Sequence, residues 1–376
     1  MARMNLSKFL REQWTTIPQV NSTSDGAEAA GKKTMIVTGA TNGLGLEAAK
    51  QLHTLSSSIV DKLILTSRDM AKVEEVEKFV TQGFAPSRCQ WAKLDLSSFS
   101  SVSAFVDALG GAKVNYVLAN AALATHKYTQ TPDGWESALQ VNYLSNALLA
   151  ILLLPNLMSA SARDASLSRL VLVSSDVHYS LPSLSDFRNV PNILEAVNRK
   201  EYCTSGIMKR RTMLSKFFVI AFARELASRL TLPVTSDSPK GIIISSVNPG
   251  FCRSKLTRET ESHFPGSLWL PLLKRAVARP TEVGATVLVR ATLMDTTGMV
   301  TGGGGGTQLH DDGRAAWHGR YLSSCLEAAE ESDLLLGEDG KEFSRKLWAD
   351  TVYVLDKIDP RVTEILERYN LNSAGR

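Results

Sequence analysis

Several features that would announce a metal centre, a disulfide scaffold or a membrane protein are scarce in this sequence. Four cysteines in 376 residues, Cys89, Cys203, Cys252 and Cys325, show neither CxxC nor metal-ligand spacing. That argues against a disulfide framework and fits a reducing, cytoplasmic setting. Six histidines form no HExxH cluster, which disfavours a zinc hydrolase. The most apolar stretch, Val141–Met158, is interrupted by Asn142, Asn146 and Pro155. It reads as a buried helix and no membrane span is expected. The first residues carry Arg3, Lys8, Arg11 and Glu12 without an apolar core, so no signal peptide is read there. Charge of one sign is also lacking. Lys plus Arg number 42 against 38 acidic residues, a net +4 that is too mild to indicate nucleic acid or an anionic surface.

What is present is an ordinary globular balance, 44% hydrophobic and 21% charged. Residues 1–30 read as a leader. Met4, Leu6, Phe9, Leu10 and Trp14 would share one helical face, expected to dock on the protein's own surface, and a polar run follows. From residue 31 a single domain extends to 376. Strands are expected at Thr34–Thr38, Lys62–Thr66, Cys89–Leu94, Tyr116–Ala119, Leu170–Ser174 and Gly241–Val247. Helices alternate with them over Leu44–Leu55, Asp69–Thr81, a stretch capped by Ser97 or Ser98, Trp135–Leu157 ending near Pro155, and Leu214–Ser228. Short apolar strands alternating with helices define an α/β fold, a Rossmann-like doubly wound parallel sheet with helices on both faces. Two long insertions, 176–211 and 251–280, read as substrate loops. A helical tail over 320–376, broken at Pro360, is expected to pack on the sheet's edge.

Thr38-Gly-Ala-Thr-Asn-Gly-Leu-Gly45 follows the first strand and opens a helix. Gly39 permits a tight turn, Gly43 lets the backbone approach a pyrophosphate, and Gly45 allows close packing. An NAD site places an acid at the end of the second strand, but this chain has Thr66-Ser67-Arg68 there, with no acid before Asp69. Arg68 can fork onto a 2′-phosphate, so NADP(H) is the expected cofactor.

The chain resembles the short-chain dehydrogenase/reductase family over roughly residues 30–300, with its motifs in the family's order. The resemblance assigns Thr38, Gly39, Asn42, Gly43, Leu44 and Gly45 to the cofactor turn. It assigns Asp95 and Leu96 to adenine and Asn120 and Ala121 to the exit of the fourth strand. Asn142 would support a relay water, Ser175 would orient substrate, and Lys216 would bind the nicotinamide ribose. Pro249, Gly250 and Ser254 would close over the nicotinamide. The flanks resemble retinol-dehydrogenase-like members from filamentous fungi, which implies a place in natural-product biosynthesis.

One position departs from the family's Tyr-x-x-x-Lys motif. The segment reads Thr212-Met-Leu-Ser-Lys216, and no Tyr-x-x-x-Lys lies between Ser175 and Pro249. A positioned acid contributes a rate factor of about 10² to 10⁴, roughly 3–5 kcal/mol of barrier. Three readings stay open. The protein is a reductase or dehydrogenase of a bulky hydrophobic carbonyl or alcohol, with its proton from water held by Thr212 and Lys216, or from Tyr179, Tyr202 or His178. Alternatively the scaffold performs a non-redox isomerisation, dehydration or cyclisation, or it is an inactive nucleotide-binding protein. Leu181, Leu184, Phe187, Phe251, Phe264, Leu268, Trp269 and Leu270 are candidates for an apolar pocket wall. The resemblance also implies a homodimer built on the Trp135–Leu157 and Leu214–Ser228 helices, unless the tail blocks that face and leaves a monomer.

Overall fold

Apolar runs too short for helices become the strands of one sheet. The computed structural model describes residues 6–19, 32–55, 59–81, 88–164, 166–230, 241–253, 276–293, 317–326, 328–329 and 331–372. The strands are β1 (Thr34–Val37), β2 (Lys62–Ser67), β3 (Cys89–Lys93), β4 (Tyr116–Ala119), β5 (Ser168–Val173), β6 (Ile242–Val247), β7 (Tyr321–Leu322) and β8 (Ala328–Ala329). Their spatial order is β3-β2-β1-β4-β5-β6-β7-β8, parallel throughout except for β8 against β7. The order reverses between β1 and β4, where a crevice opens at the carboxyl ends of the strands.

Both faces of the sheet are covered, so β5 and β6 are buried at every residue. Alternation along β1 still sorts side chains between two cores. Ile36 joins Val117, Leu170 and Ile244 under the helices Phe99–Leu109, Ser145–Leu152 and Arg211–Arg229. Met35 and Val37 join Leu63, Leu65 and Val171 under Gly43–Thr54 and Thr281–Leu293.

Four expectations are corrected. The Trp135–Leu157 helix instead starts at Ser137, passes through a wide π turn at Gln140–Leu144, and continues past Pro155 to Asp164. Pro155 lies in the first turn of the Leu154–Asp164 segment, where a missing N–H is tolerated, and the axis bends there by 44°. No single described helix is long and apolar enough to cross a membrane. The segment from 320 opens with β7 and β8, so its first part belongs to the sheet. Its helices, Glu338–Ile358 and Arg361–Arg368, lie on the helical face and not at the sheet's edge, because their apolar stripes match that face. Trp348 stacks on Phe222 at 5.7 Å, with the Arg229 guanidinium 4.6 Å from its ring. The tail thus covers the Arg211–Arg229 helix, one of the two expected to form a dimer face.

The leader is the fourth correction. It forms a helix over Leu6–Trp14, but Leu6 and Trp14 are exposed, while Glu12 and Gln13 are buried. Phe9 and Leu10 are half-buried, and the hydrogen bonds that tie the helix down run from the Gln13 amide and to the carbonyls of Glu12 and Gln13. Met4 and the polar run lie outside the described residues.

Candidate active site

The glycine turn is shaped by what it cannot hold. Gly39 and Gly43 have φ of +68° and +56°, left-handed values that disfavour side chains. A Cβ on Gly45 would come within 2.3 Å of the Gly39 carbonyl oxygen and 2.5 Å of Asn120 Nδ2. Asn42 precedes the helix in extended conformation and makes no side-chain cap. Among the described residues no side chain accepts from the first-turn N–H groups of Gly43–Thr54, beside a turn that leaves open space at Gly43. Such donors, with the helix dipole behind them, fit a pyrophosphate.

The neighbouring strand ends are tied to this turn. The Thr38 hydroxyl accepts from the N–H groups of Asn120 and Ala121, each at 2.9 Å, and Asn120 Nδ2 donates to the Thr38 carbonyl at 3.0 Å. At the end of β2, Asp69 caps the next turn through the Ala71 N–H and pairs with Lys72 at 3.4 Å. Arg68 is exposed and forms no ion pair among the described residues. After β3, Asp95 accepts from the N–H and hydroxyl of Ser97 at 2.9 and 2.7 Å, while Leu96 is buried in the core.

Asn142 lies in the π turn, an irregularity that recurs at functional sites. Its amide grips the backbone of Leu123 at 2.8 and 2.9 Å, and Nδ2 also donates to Ser215 Oγ at 3.0 Å. Ser215 Oγ donates to the Thr212 carbonyl at 2.9 Å. The exit of β4 and the helix bearing Thr212 and Lys216 are thereby held together. Lys216 is buried, and Nζ donates to the Val173 carbonyl at 2.7 Å. Burial lowers its pKa to about 8. Thr212, one turn before Lys216, is half-buried. Ser175 follows β5 and caps the turn Asp176–Ser180. Its hydroxyl donates to Asp176 Oδ1 at 3.1 Å.

Asp176 was not singled out from the sequence, although it stands directly after the Ser-Ser pair at the carboxyl end of β5. Burial raises its pKa above the ordinary carboxylate value, against the lowering effect of the Ser175 hydrogen bond. The proposed loop donors fare differently. His178 is fully buried, its Nδ1 faces the Ser175 carbonyl at 2.7 Å, and Nε2 accepts from the Ser332 N–H at 3.3 Å. With both nitrogens engaged and its pKa lowered to about 4 by burial, it is a neutral structural residue. Tyr179 packs on that ring at 4.0 Å. Tyr202 lies 5.8 Å from the Arg211 guanidinium, and burial pushes its phenol up to about 12.

The pocket wall is also revised. Leu184 and Phe187 are buried in the main core, with Phe187 at 6.0 Å from Phe218 and 5.5 Å from Phe343. They anchor the 176–211 insertion, because an ordered loop needs its own apolar footing. Leu181 is half-buried against the same core. Phe264, Leu268, Trp269, Leu270 and Ser254 lie outside the described residues.

Pro249 and Gly250 follow β6, and the leader helix packs directly on them. Gln13 Nε2 donates to the carbonyls of Phe251 and Val277 at 2.5 and 3.1 Å, and Gln13 Oε1 accepts from the Phe251 N–H at 3.1 Å. Buried Arg279 donates to the carbonyls of Glu12, of Gln13 at 2.9 Å and of Ser324 at 2.8 Å. One glutamine thus joins both roots of the second insertion. No sequence pattern marked Gln13 or Arg279.

An α/β fold with a glycine turn that fits a pyrophosphate near the strand-order switch is what this geometry defines. A family model described as short chain dehydrogenase matches residues 33–182. The short chain dehydrogenase rstn4 of Aspergillus nomiae is 32% identical over 350 residues, spanning 91% of this chain and 84% of that protein. A short chain dehydrogenase of Arthrobotrys oligospora is 29% identical over 351 residues, spanning 91% and 98%. A solved structure from Mycobacterium paratuberculosis superposes with a TM-score of 0.59 at 20% identity, covering 90% of this chain and 98% of its own. The chain belongs to the short-chain dehydrogenase/reductase family and is an oxidoreductase by that membership. Members of the family bind nicotinamide cofactors.

Proposed function

We propose that the protein is an NADP(H)-dependent reductase or dehydrogenase of a bulky hydrophobic carbonyl or alcohol, serving fungal natural-product biosynthesis in the cytoplasm. The observation that carries the cofactor reading is the uncapped glycine turn near an exposed Arg68 that has no ion pair among the described residues, with Asp69 committed to its own turn. Thr38, Gly39, Asn42, Gly43, Leu44 and Gly45 would cradle the pyrophosphate. Arg68 would take the 2′-phosphate, and Asp95 and Leu96 would border the adenine. Asn120, Ala121, Lys216, Pro249, Gly250 and Ser254 would surround the nicotinamide riboside. When bound, the cofactor supplies or accepts hydride. Ser175 holds the substrate oxygen, Asn142 fixes the helix that carries Lys216, and Thr212 leaves room where a phenol would stand. The tail over the Arg211–Arg229 helix favours the monomer over the homodimer.

The test follows nicotinamide absorbance with NADPH and NADH against a panel of hydrophobic ketones and aldehydes. Faster turnover with NADPH is expected, and Thr212→Tyr leaves activity equal or higher. Absence of turnover across the panel removes the reading. Thr212 itself favours a second reading, a non-redox isomerisation, dehydration or cyclisation. Mass spectrometry with and without NADPH separates the two, because the second forms product without net cofactor consumption.

A further inference from the structure

Carbonyl reduction requires a proton at the oxygen as hydride reaches carbon, and the family's phenol is absent here. Thr212 has only an alcohol, which is too weak an acid near neutral pH. His178 has both nitrogens engaged within the fold. Tyr321 is buried within β7. Among the described residues, one carboxylic acid stands directly beside the substrate-orienting serine. Asp176 follows Ser175 directly and receives its hydroxyl proton at 3.1 Å. No Lys or Arg pairs with its carboxyl among the described residues.

We propose that Asp176 and Ser175 form the acid–base pair of this enzyme, with the Asp176 carboxyl delivering through the Ser175 hydroxyl the proton that the missing tyrosine would supply. The proposal rests on the reductase reading above. Ser175 Oγ is held in place by the Val177 N–H, which donates to it at 3.4 Å. With Asp176 ionised, the Ser175 O–H donates to Oδ1 across the 3.1 Å separation. With Asp176 protonated, Oδ1–H donates to Ser175 Oγ and the serine O–H is released toward substrate. In reduction a C–H bond forms at the carbonyl carbon with the hydride of the reduced nicotinamide, and the C=O π pair moves to oxygen. That oxygen takes the Ser175 proton while Ser175 takes the Asp176 proton. The ketone is reduced to an alcohol, the nicotinamide is oxidised, and solvent reprotonates Asp176.

Burial and hydrogen bonding act on the Asp176 carboxyl in opposite directions, since the Ser175 hydroxyl and the Asp176 and Val177 backbone groups lower its pKa. Burial is the largest influence on it, and it raises the pKa. Tyr321 from β7 and Cys252 after β6 face it, and both stay neutral because burial raises their own pKa values, that of Cys252 to about 12. His178 shares its turn and is neutral, because burial lowers its pKa to about 4, and Tyr179 packs on that ring at 4.0 Å. Lys216, on the helix packed against that turn, is engaged with the Val173 carbonyl.

The test compares wild type with Asp176→Asn, Asp176→Glu, Ser175→Ala and the double variant Asp176→Asn with Thr212→Tyr. In the protein without cofactor, infrared titration should show a protonated-carboxyl band that persists above the ordinary carboxylate range and is lost in Asp176→Asn. NADPH affinity should stay within about twofold in that variant. Single-turnover hydride transfer should fall by about 10²- to 10⁴-fold, the range for a lost general acid. Asp176→Glu should recover part of the rate, and adding Thr212→Tyr should restore it by supplying a phenol. Wild-type reduction should weaken as pH rises through the Asp176 pKa, and that limb should vanish in Asp176→Asn. An Asp176→Asn protein with wild-type rate and an unchanged pH profile overturns the proposal alone. A wild type that oxidises no NADPH overturns the reductase reading and the proposal with it.

Discussion

Replacing Gln13 by alanine should loosen the loop after β6 from a residue more than 230 positions earlier in the sequence. The side chain is 4% exposed and makes three hydrogen bonds to the backbone of Phe251 and Val277. A net contribution of about 0.5–1.5 kcal/mol per bond, with buried partners left unsatisfied, makes the latch worth roughly 2–4 kcal/mol. At about 1.4 kcal/mol per factor of ten, local opening should rise about 30- to 700-fold. Hydrogen exchange at the Phe251 amide, which donates to Gln13, reads that opening directly. Gln13→Glu sets a carboxylate oxygen against the Phe251 and Val277 carbonyls, so it should open the loop at least as much as alanine. Leu6→Ala, at a side chain 72% exposed, should leave exchange unchanged. If Phe251 is equally protected in Gln13→Ala, the polar latch is refuted. If Leu6→Ala exposes it instead, the leader is held by its apolar face after all.

Two further outcomes are expected. Arg68→Ala should weaken NADPH binding about 10- to 150-fold, the loss of roughly 1.5–3 kcal/mol of charge-assisted bonding, while NADH affinity stays constant in calorimetry. Equal weakening for both nucleotides would remove Arg68 from the 2′-phosphate. Stability should fall in acid through His178. Its folded pKa is lowered to about 4 from 6.5, so the unfolded chain binds the extra proton between those values. The contribution is complete above pH 6.5 and declines toward pH 4, by about 3 kcal/mol. Urea midpoints measured across that window should slope in wild type and flatten in His178→Gln.

Much of the nucleotide half was legible in the sequence because its signals are local. Positive φ at Gly39 and Gly43 and the crowded Gly45 are constraints that only glycine meets well, so the motif states its own geometry. Strand runs such as Ile242–Val247 were readable because burial on both faces leaves no polar alternation. The helix through Pro155 was misread because proline stops an isolated helix but fits the first turn of a second one. Leu184 and Phe187 looked like pocket wall, since a sequence cannot say whether an apolar loop residue faces ligand or the loop's own footing.

By itself, then, the sequence determined the βα alternation, the shape of the glycine turn and the presence of threonine at residue 212. Those are properties of composition, period and backbone freedom over a few residues. Only the tertiary structure decided that Gln13 meets Phe251, that Trp348 covers Phe222, and that Asp176 is shielded beside Ser175. Burial and pairing arise from packing between distant segments. They set the acidity of a carboxyl or the hold on a loop, and no local pattern encodes them.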